Sequence, residues 1–222
     1  NVVRNLVALG AEACFISVIG RDAAGRELTG LVAEEAGGES HLLTIPGRET
    51  TIKVRYVAGA QQLLRADQEN VGTIDAAVEE DMISRAIADL DQSSAMVLSD
   101  YGKGVLSDSL TEGLIATARQ EGRAVVVDPK GRDFTRYRGA TLLTPNRNEL
   151  AHATGMPTDT DEEVIAACRK LIGDCGIEAV LATRSERGMT LVDDGSVHHL
   201  PARAREVFDV SGAGDTVVAI VA

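Results

Sequence analysis

The sequence predicts an α/β protein built on a mostly parallel sheet. From Ile74 onward, short apolar runs alternate with stretches of helical period, the pattern of successive strand–helix units. Four of those runs (95–99, 124–127, 140–143 and 179–182) are followed at once by polar turns that carry Gly, Pro or acids. With 222 residues, 44% of them hydrophobic and 25% charged, the chain has the length and composition to bury a sizeable core.

The opening reads helix, strand, helix. Val2, Val3, Leu6, Val7 and Leu9 recur at helical spacing, and Gly10 is a suitable stop. The run 13–19 reads as a buried strand. Asp22 can cap a helix through about Glu35, with Gly37 and Gly38 ending it. Residues 50–57 then alternate strictly, 58–60 turn, and 61–65 return, which is a hairpin signal. One face of that hairpin offers Thr51, Lys53, Arg55 and Arg65, either as a solvated charged surface or as a receiver for an anionic substrate. Helices follow over 75–90, 107–120, 146–154 and 161–174, interleaved with the four apolar strands. Asp193-Asp194-Gly195 joins 190–192 to 197–200 as a second hairpin. Gly155 with Pro157 beyond it closes the helix at 146–154.

Composition excludes several partners. A net charge of −12 argues against a polyanion or an anionic membrane surface, and 3% aromatic content with no Trp gives no base-stacking platform. Neither nucleic acid nor membrane is expected as a partner. Cys14, Cys168 and Cys175 have neither metal-site nor disulfide spacing, and read as reduced thiols of a cytoplasmic protein. The chain starts without Met and stops inside an apolar run, so it is expected to be part of a longer protein.

In parallel sheets, ligands bind beyond the C-terminal strand ends. The residues there are Asp100-Tyr101-Gly102-Lys103-Gly104, Asp128-Pro129-Lys130-Gly131, Thr144 to Glu149, and Thr183 to Gly188. One polar turn is commonplace, whereas four on one edge suggest an active-site rim. Asn146 and Glu149, three apart at a helix start, share a face. They can form a capping box, orient a hydrated Mg2+, or do both. Near the end, Asp209-Val210-Ser211-Gly212-Ala213-Gly214-Asp215-Thr216 feeds an apolar run that reads as the start of a buried helix. Glycines there allow a tight turn, and the helix start presents free N–H groups to a phosphate. Asp215 beside that anion site can accept a hydroxyl proton. The plainer alternative is an ordinary N-cap by Ser211 or Asp215.

At these residues the sequence resembles the ribokinase-like carbohydrate kinases, the PfkB family. The D-V-S-G-A-G-D-T run matches that family's second signature, and Asn146-x-x-Glu149 matches its N-x-x-E motif. The resemblance covers the whole chain. Within the family it is strongest to the kinases that phosphorylate D-glycero-D-manno-heptose 7-phosphate at C1. Residues 1–11, 61–67, 98–104, 128–131, 136–146 and 183–189 carry that closer match.

The resemblance implies a ribokinase-like three-layer sandwich, one kinase domain over 1–222, with a small β lid at about 45–68. It implies ATP and Mg2+ as cofactors, with a sugar phosphate and ATP as small-molecule partners. Asp215 would be the catalytic base, and the N–H groups of Gly212, Ala213 and Gly214 the anion hole. Asn146 and Glu149 would serve the Mg2+–ATP phosphates, with Glu149 reaching the metal through water. Thr183, Ser185 and Gly188 would lie along the nucleotide. Arg65, Asp100, Lys103 and Lys130 would meet the substrate. A homodimer through the lid is expected, as is a fused nucleotidyltransferase domain outside this chain. The family's N-terminal strand, with its substrate-binding Asp, and its C-terminal helices are not within the sequence. Another PfkB-type sugar kinase and a non-catalytic nucleotide-binding domain are the alternatives. Asp215 speaks against the second, since a pure binder needs no base beside an anion hole.

Overall fold

The structure, a computed structural model, describes residues 1–59, 61–202 and 212–222. Helix α1 (Val2–Ala8) leads into β1 (Ala13–Gly20), α2 (Ala23–Glu35) and β2 (Gly37–Ile45). Asp22 caps α2 by accepting from Gly25 N at 2.7 Å, and its other oxygen accepts from Thr50 N at 2.8 Å. A single side chain therefore starts α2 and pins the chain where it enters the hairpin.

Strand β2 departs from the sequence reading, which ended the helix at Gly37–Gly38 and assigned no strand beyond. It pairs in parallel with β1 from the first glycine onward. Its sequence, Gly-Gly-Glu-Ser-His before the apolar Leu42 and Leu43, has no alternation, so pairing with β1 imposes the conformation. Nor is β1 the buried strand expected. Ala13 and Ile19 are buried but Cys14 is exposed, because β1 and β2 form a two-stranded sheet of their own.

The hairpin β3 (Ile52–Ala58) and β4 (Gln61–Gln68) is antiparallel as predicted, and also stands as a separate two-stranded sheet. Beyond it the repeating units form the body: α3 (Ala76–Leu90), β5 (Ala95–Ser99), α4 (Asp108–Gln120), β6 (Ala124–Asp128), β7 (Leu142–Leu143), α5 (Arg147–Thr154), α6 (Asp161–Cys175), β8 (Ala179–Thr183), β9 (Met189–Asp193), β10 (Val197–Leu200) and α7 (Ala213–Val221). Among the described residues the main sheet has the order β10-β9-β8-β7-β6-β5. Strands β5 to β8 are parallel, and β9 and β10 are antiparallel additions at one edge. At the other edge, β5 buries only Leu98 fully, less than its apolar sequence suggested.

The core lies on the central strands. Val125, Val127, Leu143 and Val180 are fully buried, against Leu110 and Ile115 of α4, Leu150 of α5 and Val164 of α6. Each such side chain contributes roughly 1.5–3 kcal/mol relative to exposure. Both α5 and α6 start with complete capping boxes, Asn146 with Glu149 and Thr160 with Glu163, and end on left-handed glycines, Gly155 and Gly176. Their ends are thereby fixed, and the start of α5 lies at the C-terminal edge of the sheet. Helix α7 is buried only along Val218 and Ala219, while Ile220 is 64% exposed, so the apolar run does not make a wholly buried helix.

Candidate active site

Four parallel strands deliver four turns to one edge. A cleft of about 190 Å3 opens there, lined by Asp100 and Tyr101 after β5, Asp128 and Lys130 at β6, Thr144, Asn146 and Glu149 after β7, Thr183 at β8, and Gly214 of α7. Thr183 is drawn in by its N–H on the Pro145 carbonyl at 2.9 Å and a bridge to Asn146.

At the cleft, α7 begins on Gly212, whose φ of +82° is a left-handed conformation that glycine adopts without strain. Among the described residues no side chain caps this helix. The first helical bond among the described residues is from Thr216 N to Gly212 O, and the N–H groups just before it have no partner among those residues. The capping alternative is therefore not adopted by Asp215; Ser211, like Phe208 to Val210, lies outside the described residues. Asp215, in the first turn, has both carboxylate oxygens engaged. Tyr101 Oη donates to Oδ1 at 3.1 Å, and Asn1 Nδ2 to Oδ2 at 2.9 Å.

Across the cleft, Glu149 closes the capping box with Oε2 on Asn146 N at 2.9 Å and receives Lys130 Nζ on Oε1 at 2.6 Å. The capping-box reading of the Asn146–Glu149 pair is realised, and both residues line the cleft. The Lys130 ammonium is held above its ordinary pKa, chiefly by that bond to Glu149. Asp128 has its carboxyl pushed up to about 7, first by burial and then by the charges of Glu149 and Asp215, with Lys130 opposing. Acids outnumber cations in the cleft, and its donors are hard oxygens, the chemistry that suits Mg2+.

Of the residues nominated from sequence, Asp100, Lys130, Asn146, Glu149, Thr183 and Gly214 line one cleft, and Asp215 is bonded to its rim through Tyr101. Gly212 and Ala213 adjoin it at the start of α7. Asp100 is 5% exposed and carries structure: it accepts from Gly102 N and Tyr137 Oη, each at 2.7 Å. The remaining nominees lie apart. Arg65 pairs with Asp67 on its own hairpin at 3.0 Å, and Lys103 with Glu69 at 2.5 Å. Ser185 is in the short helical turn Ser185–Arg187, outside the cleft. Gly188 answers to packing, because a Cβ there would lie 2.0 Å from the Leu200 carbonyl oxygen. Tyr101, Asp128 and Thr144 stood on the rim read from the sequence but were given no role, and Asn1 was not nominated for the site. The signal for Asp128 was its place directly after Val127, in register with Ser99; for Asn1 no local signal existed.

The thiols are elsewhere. Cys14, Cys168 and Cys175 are all free, the last two buried in α6. Cys14 lies with His41 and Asp89 in a cluster of potential metal donors. Arg85, which can only donate, faces His41 Nδ1 at 3.2 Å, so Nε2 carries the proton toward Asp89 at 3.2 Å. Cys14 Sγ also donates to Asp89, at 3.0 Å, and burial with that contact pushes its thiol up to about 12. The cluster is satisfied by its own hydrogen bonds.

The sequence profile of the pfkB family carbohydrate kinases matches residues 1–222. The chain belongs to that family. It is 56% identical over 223 residues to the bifunctional protein HldE of Rhodospirillum rubrum, covering 100% of this chain and 45% of the relative. The chain thus spans about half the length of the relatives of this kind that it matches. Its fold is that of the ribokinase-like pfkB kinases. The tetrameric inhibited form of Escherichia coli phosphofructokinase-2 superposes with a TM-score of 0.78 at 19% identity, over 98% of this chain and 71% of that one. Ribokinase from Giardia lamblia gives 0.76 at 19%, over 97% and 68%. Among the described residues no helix is long and apolar enough to cross a membrane.

Proposed function

We propose that residues 1–222 form one kinase domain that transfers the γ-phosphoryl group of ATP to the C1 hydroxyl of D-glycero-D-manno-heptose 7-phosphate. The product is the 1,7-bisphosphate, in ADP-heptose biosynthesis for the lipopolysaccharide core. The observation that carries the reading is Asp215 in the first turn of a helix that no side chain among the described residues caps, at the edge of a cleft carrying Glu149 and Lys130. Asp215 takes the hydroxyl proton, the sugar oxygen attacks the γ-phosphorus, and ADP leaves. The N–H groups of Gly212, Ala213 and Gly214 hold the charge on the transferring group. Asn146 and Glu149 would hold Mg2+ through water, with Asp128 near; when bound, the ion neutralises the nucleotide phosphates. Thr183, Ser185 and Gly188 face the nucleotide in this reading. Lys130 leaves Glu149 for the substrate phosphate, and Lys103 and Arg65 approach it when the lid closes.

The heptose is supported by the likeness to the HldE proteins and by Asp100, Tyr101, Asp128 and Lys130 of the matching stretches, which line the cleft. The bifunctional relatives' additional length supports a second, nucleotidyltransferase domain outside this chain, in a cytoplasmic protein. The apolar residues exposed on the hairpin, Tyr56 at 53% and Leu64 at 59%, support a homodimer formed through the lid. The test is coupled ADP release with the full-length protein, offered the heptose 7-phosphate, fructose 6-phosphate, fructose 1-phosphate and ribose. A preference of orders of magnitude for the heptose is expected. Preference for another sugar would keep the chemistry and discard the substrate.

A further inference from the structure

We propose that Tyr101 is the positioning residue of the base: its hydroxyl and the Asn1 side-chain amide together fix the carboxylate plane of Asp215. The inference rests on the phosphotransfer reading above and names how its base is aimed. A carboxylate held by one donor can swing about its last torsion; donors on both oxygens, at 3.1 and 2.9 Å, oppose that rotation. Each oxygen retains a second lone pair, so the group can still accept the substrate hydroxyl. The Tyr101 hydroxyl stays a donor throughout the neutral range, because burial and the Asp215 charge push it up to about 12.

The loop that carries Tyr101 is built to hold it still. Asp100, directly before it, is tied to Gly102 N and to the buried Tyr137 hydroxyl, with Arg136 at 3.8 Å. Gly104 has φ of +74°, and a Cβ there would lie 2.3 Å from the Gly72 carbonyl oxygen. Arg48, in the connection entering the hairpin, donates to the Lys103 carbonyl at 2.7 Å and to that of Gly72 at 2.9 Å. Tyr101 therefore reaches Asp215 from a loop braced by the core beneath and stapled to both ends of the hairpin. Tyr101 as a residue is 54% exposed, so the hydroxyl can be removed with little effect on packing.

The experiment compares Tyr101→Phe, Asp215→Asn and the double variant in full-length protein, using the sugar that turns over best. Tyr101→Phe is expected to lower kcat by about 10- to 100-fold, the scale of a misaimed catalytic group. KM for sugar and ATP, ADP affinity and the melting temperature should stay near the parent's. In the Asp215→Asn background the same change should cost nothing further, because the group it positions is gone. Slow Asp215→Asn with normal Tyr101→Phe would overturn the positioning role alone, as would an undiminished Tyr101 effect in the double variant. Normal turnover by Asp215→Asn would overturn the base assignment itself, and this inference with it.

Discussion

The strand-end rim and the hairpin both present charged side chains, and they hold them in opposite ways. At the rim, polar groups sit on turns that follow strands of the main sheet, with the buried Val125, Val127 and Val180 behind them. Asp100 and Glu149 each spend an oxygen on a backbone N–H of their own turn. In the hairpin every residue of β3 is exposed, and its charges pair with each other: Lys53 and Arg65 both meet Asp67. Fixed geometry at the rim suits reactions that need atoms placed within fractions of an ångström. The hairpin is a two-stranded ribbon, marginal alone, and gains its order from whatever covers it. Chemistry should therefore fail sharply when the rim is altered, and binding or assembly should fail gradually when the hairpin is.

The largest effect belongs to the proposed base. Asp215→Asn should lower kcat by roughly two to four decades, as for loss of a general base, with nucleotide affinity nearly unchanged. Stopped assays with long incubation would measure the residue, and near-full turnover would break the contrast at its strongest point. Next comes Lys130→Ala, which also leaves Glu149 without its cation. KM for a phosphorylated sugar should rise about tenfold, a loss of the order of one charge-assisted hydrogen bond. The dephosphorylated sugar should be affected less, and equal effects would dismiss Lys130 as a phosphate ligand. On the hairpin, Tyr56→Glu with Leu64→Glu places two charges on the facing pair of the apolar side. If the proposed dimer forms through the hairpin, sedimentation should show its loss at micromolar protein, with melting of the body little changed. A dimer that survives would move the interface off the lid.

What was legible in the sequence divides along the same line. The body was readable because its period and its punctuation agree: Ser107 caps α4, Asn146 caps α5, and Gly155 ends α5. Local chemistry at those positions dictates local structure. Strand β2 was not readable because only its partner makes it a strand. The G-A-G-D and N-x-x-E motifs were readable as parts of a site since each is contiguous. Asn1 was not, for it meets Asp215 from 214 residues away. Pairing among the basic residues was not readable either. Charge counts say nothing of it, and Arg65 and Lys103 are matched to Asp67 and Glu69.

The smallest effect separates a carboxylate kept for function from one kept for stability. Folding raises the Asp128 carboxyl from 3.8 to about 7. Between those values the folded chain holds a proton that the unfolded chain has lost, so stability falls as pH climbs through that window. Above it the ionised group costs on the order of 2 kcal/mol, after allowance for its partial exposure. Asp128→Asn removes that cost. Its melting temperature should exceed the parent's by about 4 °C at pH 8 and match it near pH 3.5, at the scale expected for a domain of this size. Calorimetry at the two pH values checks it. An equal shift at both would mean that shape, rather than charge, is what Asp128 contributes. A gain at pH 8 coupled to lost turnover would mark Asp128 as a residue retained for the reaction at the expense of the fold.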